Sequence, residues 1–192
     1  MSPRRYAAVL LAFGTQRGLE LLYSAGNERL IRGRQPTAPQ AARSIFKWIA
    51  LINAGLFTLP ALERWWRGHP PPSAVAAAGW ITSVSAVALR LSVLLSLRRS
   101  WTVRAVVPSD LAVIDRGPYR WIRHPNYVAL ALEFLGLPLI GGAYVSALGL
   151  GVANALLLGR RIHEEEALLM AIPAYRQRMA HKPRFLPRFI GR

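Results

Sequence analysis

The chain has no cysteine, only four histidines, and only nine acidic residues against 25 Lys and Arg in 192 residues. Without cysteine there can be no disulfide, no thiolate nucleophile and no Cys-ligated metal. Four scattered histidines, with no His-Glu-x-x-His among them, give no support to a metal site. There is no Walker phosphate loop and no arrangement for Ser/His/Asp catalysis. Gly149-Leu150-Gly151 is a fragment of a dinucleotide fingerprint, but it lies inside an apolar run with no strand before it. No strand-like alternation is sustained, and no internal repeat is visible. The shortage of acids makes any cluster of them informative.

The formal charge of +16 accompanies 53% apolar residues. The basic residues fall in blocks between long apolar runs and do not form the continuous stripe with interleaved aromatics that a nucleic-acid groove needs. A bilayer core of about 30 Å takes about 20 apolar residues per helix. Tyr6–Tyr23, Ile45–Leu62 and Ser73–Leu97 read as spans, the first carrying Arg17 and Glu20 and the third Arg90. The Arg-Arg pair near the start resembles an export signal, but Gln16, Arg17 and Glu20 follow it in place of a cleavage site, so it reads as the flank of that first helix. Tyr127–Leu158 is too long for one span. Pro138 and Gly141-Gly142 near its middle predict a tight helical hairpin. With the N-terminus outside, nineteen Lys and Arg fall on the inner side and four on the outer. The expectation is an all-α integral membrane protein of five transmembrane helices, with a short C-terminal hairpin and a cytoplasmic C-terminal helix and tail. A polar helix is expected over Arg161–Met179 and an extended basic segment over His181–Arg188. The chain forms one domain, 1–192, with a three-helix membrane part, 1–97, and a second part, 98–192, that carries the notable motifs.

Two motifs stand on the inner face. In Arg123-His124-Pro125-Asn126-Tyr127, Pro125 suits the first position of a helix. Arg123 and His124 are then held off that helix and project at the membrane surface. An interfacial anchor, with a snorkelling Arg and a belt Tyr, is the other reading. In Arg161-Ile162-His163-Glu164-Glu165-Glu166, three of the nine acids follow a span directly, on the face that favours cations. They read either as a solvated helix face or as carboxylates that hold a cationic or polyhydroxylated ligand. Arg17 and Glu20 share a helix face, and Glu133 lies within two turns of the hairpin mouth. Intramembrane charges are costly and point to function, or to structural pairing of Glu133 with Arg90 or Arg17.

Gly117-Pro118-Tyr119-Arg120-Trp121-Ile122-Arg123-His124-Pro125-Asn126-Tyr127, followed after the hairpin by Arg161-Ile162-x-x-Glu165-Glu166, Tyr175 and Arg184-Phe185-x-Pro187, resembles the isoprenylcysteine carboxyl methyltransferase family. Gln16-Arg17-Gly18-Leu19-Glu20-Leu21, Asn27-Glu28-Arg29, Trp101-Thr102-Val103-Arg104 and Glu133-Phe134 look like its bacterial branch of alkylresorcinol and alkylpyrone O-methyltransferases. The first segment is also similar to one in sterol reductases, but the longer cofactor motif they pair with it is not found. The resemblance implies S-adenosylmethionine as cofactor, held by His124, Tyr127, Glu165, Glu166, Tyr175 and Arg184. Glu164 leaves the register of the Glu pair less defined, although the spacing from Arg161 favours Glu165 and Glu166. The resemblance further implies a bacterial cytoplasmic membrane, a lipophilic acceptor and a cytoplasmic C-terminus. Arg123 is the candidate to orient an anionic oxygen, Glu133 or Glu20 to serve as base, and Arg17 and Glu20 to hold the acceptor. N-methylation of a phospholipid amine and a non-catalytic membrane scaffold or transporter are the competing expectations.

Overall fold

The structure is a computed structural model that describes residues 1–187; Arg188, the end of the expected basic segment, lies outside the described residues. Six α-helices follow in order: α1 Pro3–Arg34, α2 Phe46–Arg67, α3 Ser73–Leu97, α4 Pro125–Gly141, α5 Tyr144–Met170 and α6 Pro173–Met179. Three of them, α2, α3 and α5, are long and apolar enough to cross a membrane. The apolar α4 is shorter, its 17 residues spanning about 26 Å. The outward faces of α2, α3 and α5 carry Leu51, Leu62, Ile81, Leu95, Leu148 and Leu156, all exposed. Such faces suit lipid and not water. Trp65 and Trp66 stand exposed at the end of α2, the place of an interfacial aromatic belt.

α3 and α4 approach most closely where both lack side chains. A Cβ on Gly79 would meet the backbone N of Ile140 at 2.6 Å, and one on Gly136 would meet the backbone N of Ser83 at 2.8 Å. Small residues at such spacing let helix backbones touch inside a bilayer, where dispersion replaces the hydrophobic drive. Tyr6 of α1 lies over Gly141 and donates to the Leu137 carbonyl at 2.9 Å. With Leu10, Leu56, Phe134, Ile140 and Leu150 it closes the central core.

The hairpin forms as the sequence predicts, but Pro138 does not break the helix. It sits in the last turn of α4, where its missing N–H deprives only one carbonyl of a partner. Gly142 makes the reversal at φ +73°, its N–H reaching Leu139 and that of Ala143 reaching Pro138. The far end of α2 clamps this turn. Arg67 donates to the Gly142 carbonyl at 2.5 Å, and the Glu63 carboxylate accepts from the N–H groups of Val145 and Ser146 at 3.0 and 2.7 Å. A carboxylate there satisfies donors that every helix N-terminus leaves open.

Two element bounds depart from expectation. The first helix is not confined to Tyr6–Tyr23 but runs to Arg34. The polar helix expected over Arg161–Met179 is two pieces: Arg161–Met170 continues α5 without a break, and Pro173 begins α6. A change in composition at Gly159 alters which neighbours the helix faces, not its backbone hydrogen bonding.

Candidate active site

Pro125 opens α4, and the segment before it lies against the C-terminal part of α5. His124 does not project at the surface as expected. It is buried, its Nε2 2.9 Å from Glu166 Oε1, and its ring stacks on Tyr127 at 5.3 Å. The reason is the tail. Backbone N–H groups of Arg123 and His124 donate to the carbonyls of Pro183 and Arg184 at 3.0 Å each, and Phe185 lies over the His124 ring. Lys182 fastens the tail by donating to Asp115 and to the Tyr119 carbonyl.

The three consecutive acids have three distinct partners, because successive helical positions point about 100° apart. Glu164 turns outward and accepts from the backbone N–H of Ala42 at 2.7 Å, anchoring the α1–α2 connection, where Ala42 adopts φ +56°. Glu165 accepts from the Tyr127 hydroxyl. Glu166 receives Arg184 at 2.5 to 3.1 Å, Arg123 at 3.2 Å and His124. Arg161, one turn earlier, donates through Nε to the Tyr127 hydroxyl at 2.8 Å and through Nη2 to the Val103 carbonyl.

A cavity enclosing about 830 Å³ of empty space, its mouth included, lies among these residues, lined by Arg123, His124, Tyr127, Glu165, Tyr175 and the 97–114 loop. Four of the six expected cofactor residues line it: His124, Tyr127, Glu165 and Tyr175. Glu166 and Arg184 stand behind that wall, bound to each other. Burial, with Glu165 nearby, pushes the Tyr175 phenol above its ordinary value, so it presents an O–H at neutral pH. Arg123 Nε is buried without an acceptor among the described residues.

Deeper in the bundle, Arg17, Glu20, Arg90 and Glu133 form one neutral cluster. Arg17 donates to Glu20 at 3.0 Å and to Glu133; Arg90 donates to Glu133 at 2.8 and 3.3 Å and to Asn126 Oδ1 at 3.2 Å. Both predicted pairings of Glu133, with Arg17 and with Arg90, are present together. Its two oxygens are occupied by guanidinium donors, which leaves neither directed at a cavity.

A second cavity, about 970 Å³ with its mouth included, lies between α1 and α2. Arg17 lines it; Glu20 does not. Asn126, Tyr127, Arg161 and Trp101 line both cavities and so form the partition between them. The candidate set read from the sequence omits Asn126 and Arg161, although both stand inside its motifs. The loop wall is missed because only the fold brings it there: Asn27 of α1 donates to the Arg98 and Trp101 carbonyls, and Ser24 accepts from the Val103 N–H. Among the described residues no three His, Asp or Glu side chains gather as metal ligands.

Residues 79–171 match the model of the isoprenylcysteine carboxyl methyltransferase family. The matched segment runs from α3 to the end of α5 and includes Arg123–Tyr127 and Glu165–Glu166. The chain is also similar to "Uncharacterized protein YpbQ" of Bacillus subtilis (strain 168), at 29% identity over 159 residues, 80% of this chain and 90% of the relative. That name carries no activity, but the likeness reaches beyond the family segment. Just under half of the chain is thus similar to the isoprenylcysteine carboxyl methyltransferase family, and three of its helices are long and apolar enough to cross a membrane.

Proposed function

We propose that this protein transfers a methyl group from S-adenosylmethionine to an oxygen of a lipophilic acceptor dissolved in the membrane. The observation that carries the reading is the cavity that Arg123, Glu165 and Tyr175 line together, which sets a guanidinium, an acid and a phenol around one space. This donor set fits the cofactor. Arg123 suits its carboxylate, Glu165 and the Tyr175 hydroxyl suit its ribose and amino groups, and the Tyr127 and His124 rings offer an apolar face. The cofactor supplies a methyl already activated by a sulfonium, so the protein's task is alignment and exclusion of water. Glu166 holds Arg184, Arg123 and His124 in register, and Lys182 keeps the tail in place. The narrower form of the reading, a phenol or enol of the alkylresorcinol or alkylpyrone kind, is supported by the front-half motifs. All five long helices cross the membrane, with the C-terminus and this cavity on the cytoplasmic side.

Calorimetry of S-adenosylhomocysteine binding to the purified protein tests it. The wild type binds. Glu165→Ala and His124→Ala weaken binding by about ten- to a hundredfold, the loss of one or two charge-assisted or buried contacts. No binding to any of the three proteins overturns the methyltransferase reading.

A further inference from the structure

The last turns of α1, from Ser24 to Arg34, run beyond the apolar stretch and lie beside the 97–114 loop. Between them and the start of α2 is a groove enclosing about 1290 Å³ of empty space, its mouth included. It shares no lining residue with the cavity of Glu165 and Tyr175. Along α1 its wall changes from Leu21 and Ala25 to Arg29 and Arg32, a helical rise of about 16 Å from first to last. The loop adds Arg104, which lies over the Phe46 ring of α2 at 5.2 Å. That guanidinium therefore stands where the apolar and basic parts meet.

The charge of the groove is unbalanced. Its one acid, Glu28, accepts from Arg32 at 2.8 Å and lies 3.6 Å from Arg104. Arg29 is exposed and makes no hydrogen bond or ion pair among the described residues. Three guanidinium groups against one carboxylate leave two positive charges uncompensated. A phosphate suits them, because a guanidinium binds it through two parallel N–H bonds and several can share its oxygens. The surroundings indicate what carries the phosphate. Trp48, two residues from Phe46, is exposed with Lys47 over its ring at 5.3 Å, a pairing that marks headgroup level in a bilayer. Leu22 and Leu51 are exposed beside the apolar part. Clusters of Arg at the end of a membrane helix attract anionic headgroups. A soluble anion would leave the apolar wall unfilled.

We infer that this groove holds an anionic glycerophospholipid as a resident ligand, its phosphate received by Arg29, Arg32 and Arg104 and its chains leaving along Leu21 and Ala25 toward the bilayer. The head joins α1 to the loop, since Arg29 and Arg32 belong to the one and Arg104 to the other. A phosphatidylcholine fits less well, because its quaternary ammonium would lie among the same guanidinium groups. No step of methyl transfer involves this lipid, and the inference stands whether or not the chain is a methyltransferase.

Native mass spectrometry of the full chain in detergent, titrated with dioleoyl phosphatidylglycerol and dioleoyl phosphatidylcholine, tests it. The chains are identical, so any difference reports the head. The anionic lipid is expected to bind at least about tenfold more tightly. Arg29→Gln, which breaks no contact among the described residues, lowers its affinity about five- to tenfold, and Arg104→Gln does so comparably. Arg178→Gln removes the same charge from the exposed side of α6 and leaves the affinity within about twofold. Glu28→Gln releases two guanidinium groups and raises the affinity about threefold or more; a variant that merely loosened the fold would lower it. Glycerophosphoglycerol, the same head without chains, binds at least about tenfold more weakly. Equal binding of the two lipids, or a loss as large in Arg178→Gln as in Arg29→Gln, overturns the site. Glycerophosphoglycerol binding as tight as that of the lipid overturns the lipid as its occupant.

Discussion

Glu166 binds three groups: Arg184 through both Nε and Nη2, Arg123 and His124. Removing it strands the largely buried Arg123 and His124, while the half-exposed Arg184 can turn to water. Glu166→Ala is therefore expected to cost about 3–5 kcal/mol and to loosen the tail, read as a lower thermal midpoint and faster proteolysis beyond residue 180. Glu164→Ala, which removes one bond to the Ala42 N–H and an exposed pair with Arg160, is expected to cost about 1 kcal/mol. Equal losses in the two variants would contradict this division. Tyr175 gives a pH dependence. Its phenol is raised by burial and by Glu165, so the folded chain resists ionisation that the unfolded chain undergoes near pH 10. The stability it contributes is complete below about pH 10 and falls as pH rises toward the raised value. Unfolding followed from pH 8 to 11 in detergent should show that decline, and Tyr175→Phe should make it shallower. At this scale the sequence shows which residues stand out better than what they touch. The Arg123–Tyr127 and Glu165–Glu166 motifs stand out by spacing, and the pairing of Arg17 with Glu20 follows from helical periodicity. The separate partners of three adjacent Glu, and the orientation of the Asn126 amide, depend on contacts more than a hundred residues apart for Glu164 and on α3 for Asn126.

The α3–α4 contact tests packing between elements. Gly136→Ala drives a methyl into Ser83 and the Gly79 carbonyl and is expected to destabilise by about 1–3 kcal/mol. Gly149→Ala on α5 meets nothing within 4 Å and is expected to be neutral or to stabilise by up to about 1 kcal/mol through helix propensity. Thermal midpoints of the two variants in one detergent decide it; a neutral Gly136→Ala would refute the close approach. The helical hairpin is legible because Gly141-Gly142 interrupts an apolar run too long for one span. The continuity of α5 past Gly159 is not, since hydropathy records a helix's surroundings and not whether its backbone continues. Pro138 misleads for a related reason: a proline breaks a helix according to how many hydrogen-bonded turns follow it, and few do here.

Across the whole molecule the basic residues predict sidedness. The absence of cysteine leaves a clean background for labelling single-cysteine variants in inverted and right-side-out vesicles. His69→Cys, in the exposed α2–α3 turn, is expected to react from one side, and Asp110→Cys and Arg178→Cys from the other. Reaction of all three from one side would refute an α2–α3 pair that crosses. The neutral Arg17–Glu20–Arg90–Glu133 cluster bears on how such a chain is assembled. Arg17 and Glu20 belong to α1, while Arg90 and Glu133 belong to helices synthesised later. Arg17 and Glu20 offset each other within α1, but a charged group at the centre of a membrane helix costs about 3 kcal/mol on insertion scales, and only α3 and α4 supply the rest of the cluster. α1 should therefore rest at the membrane surface, or beside the insertion machinery, until α3 and α4 emerge from the ribosome. The earliest of the five long helices to be made would be among the last to reach its final depth.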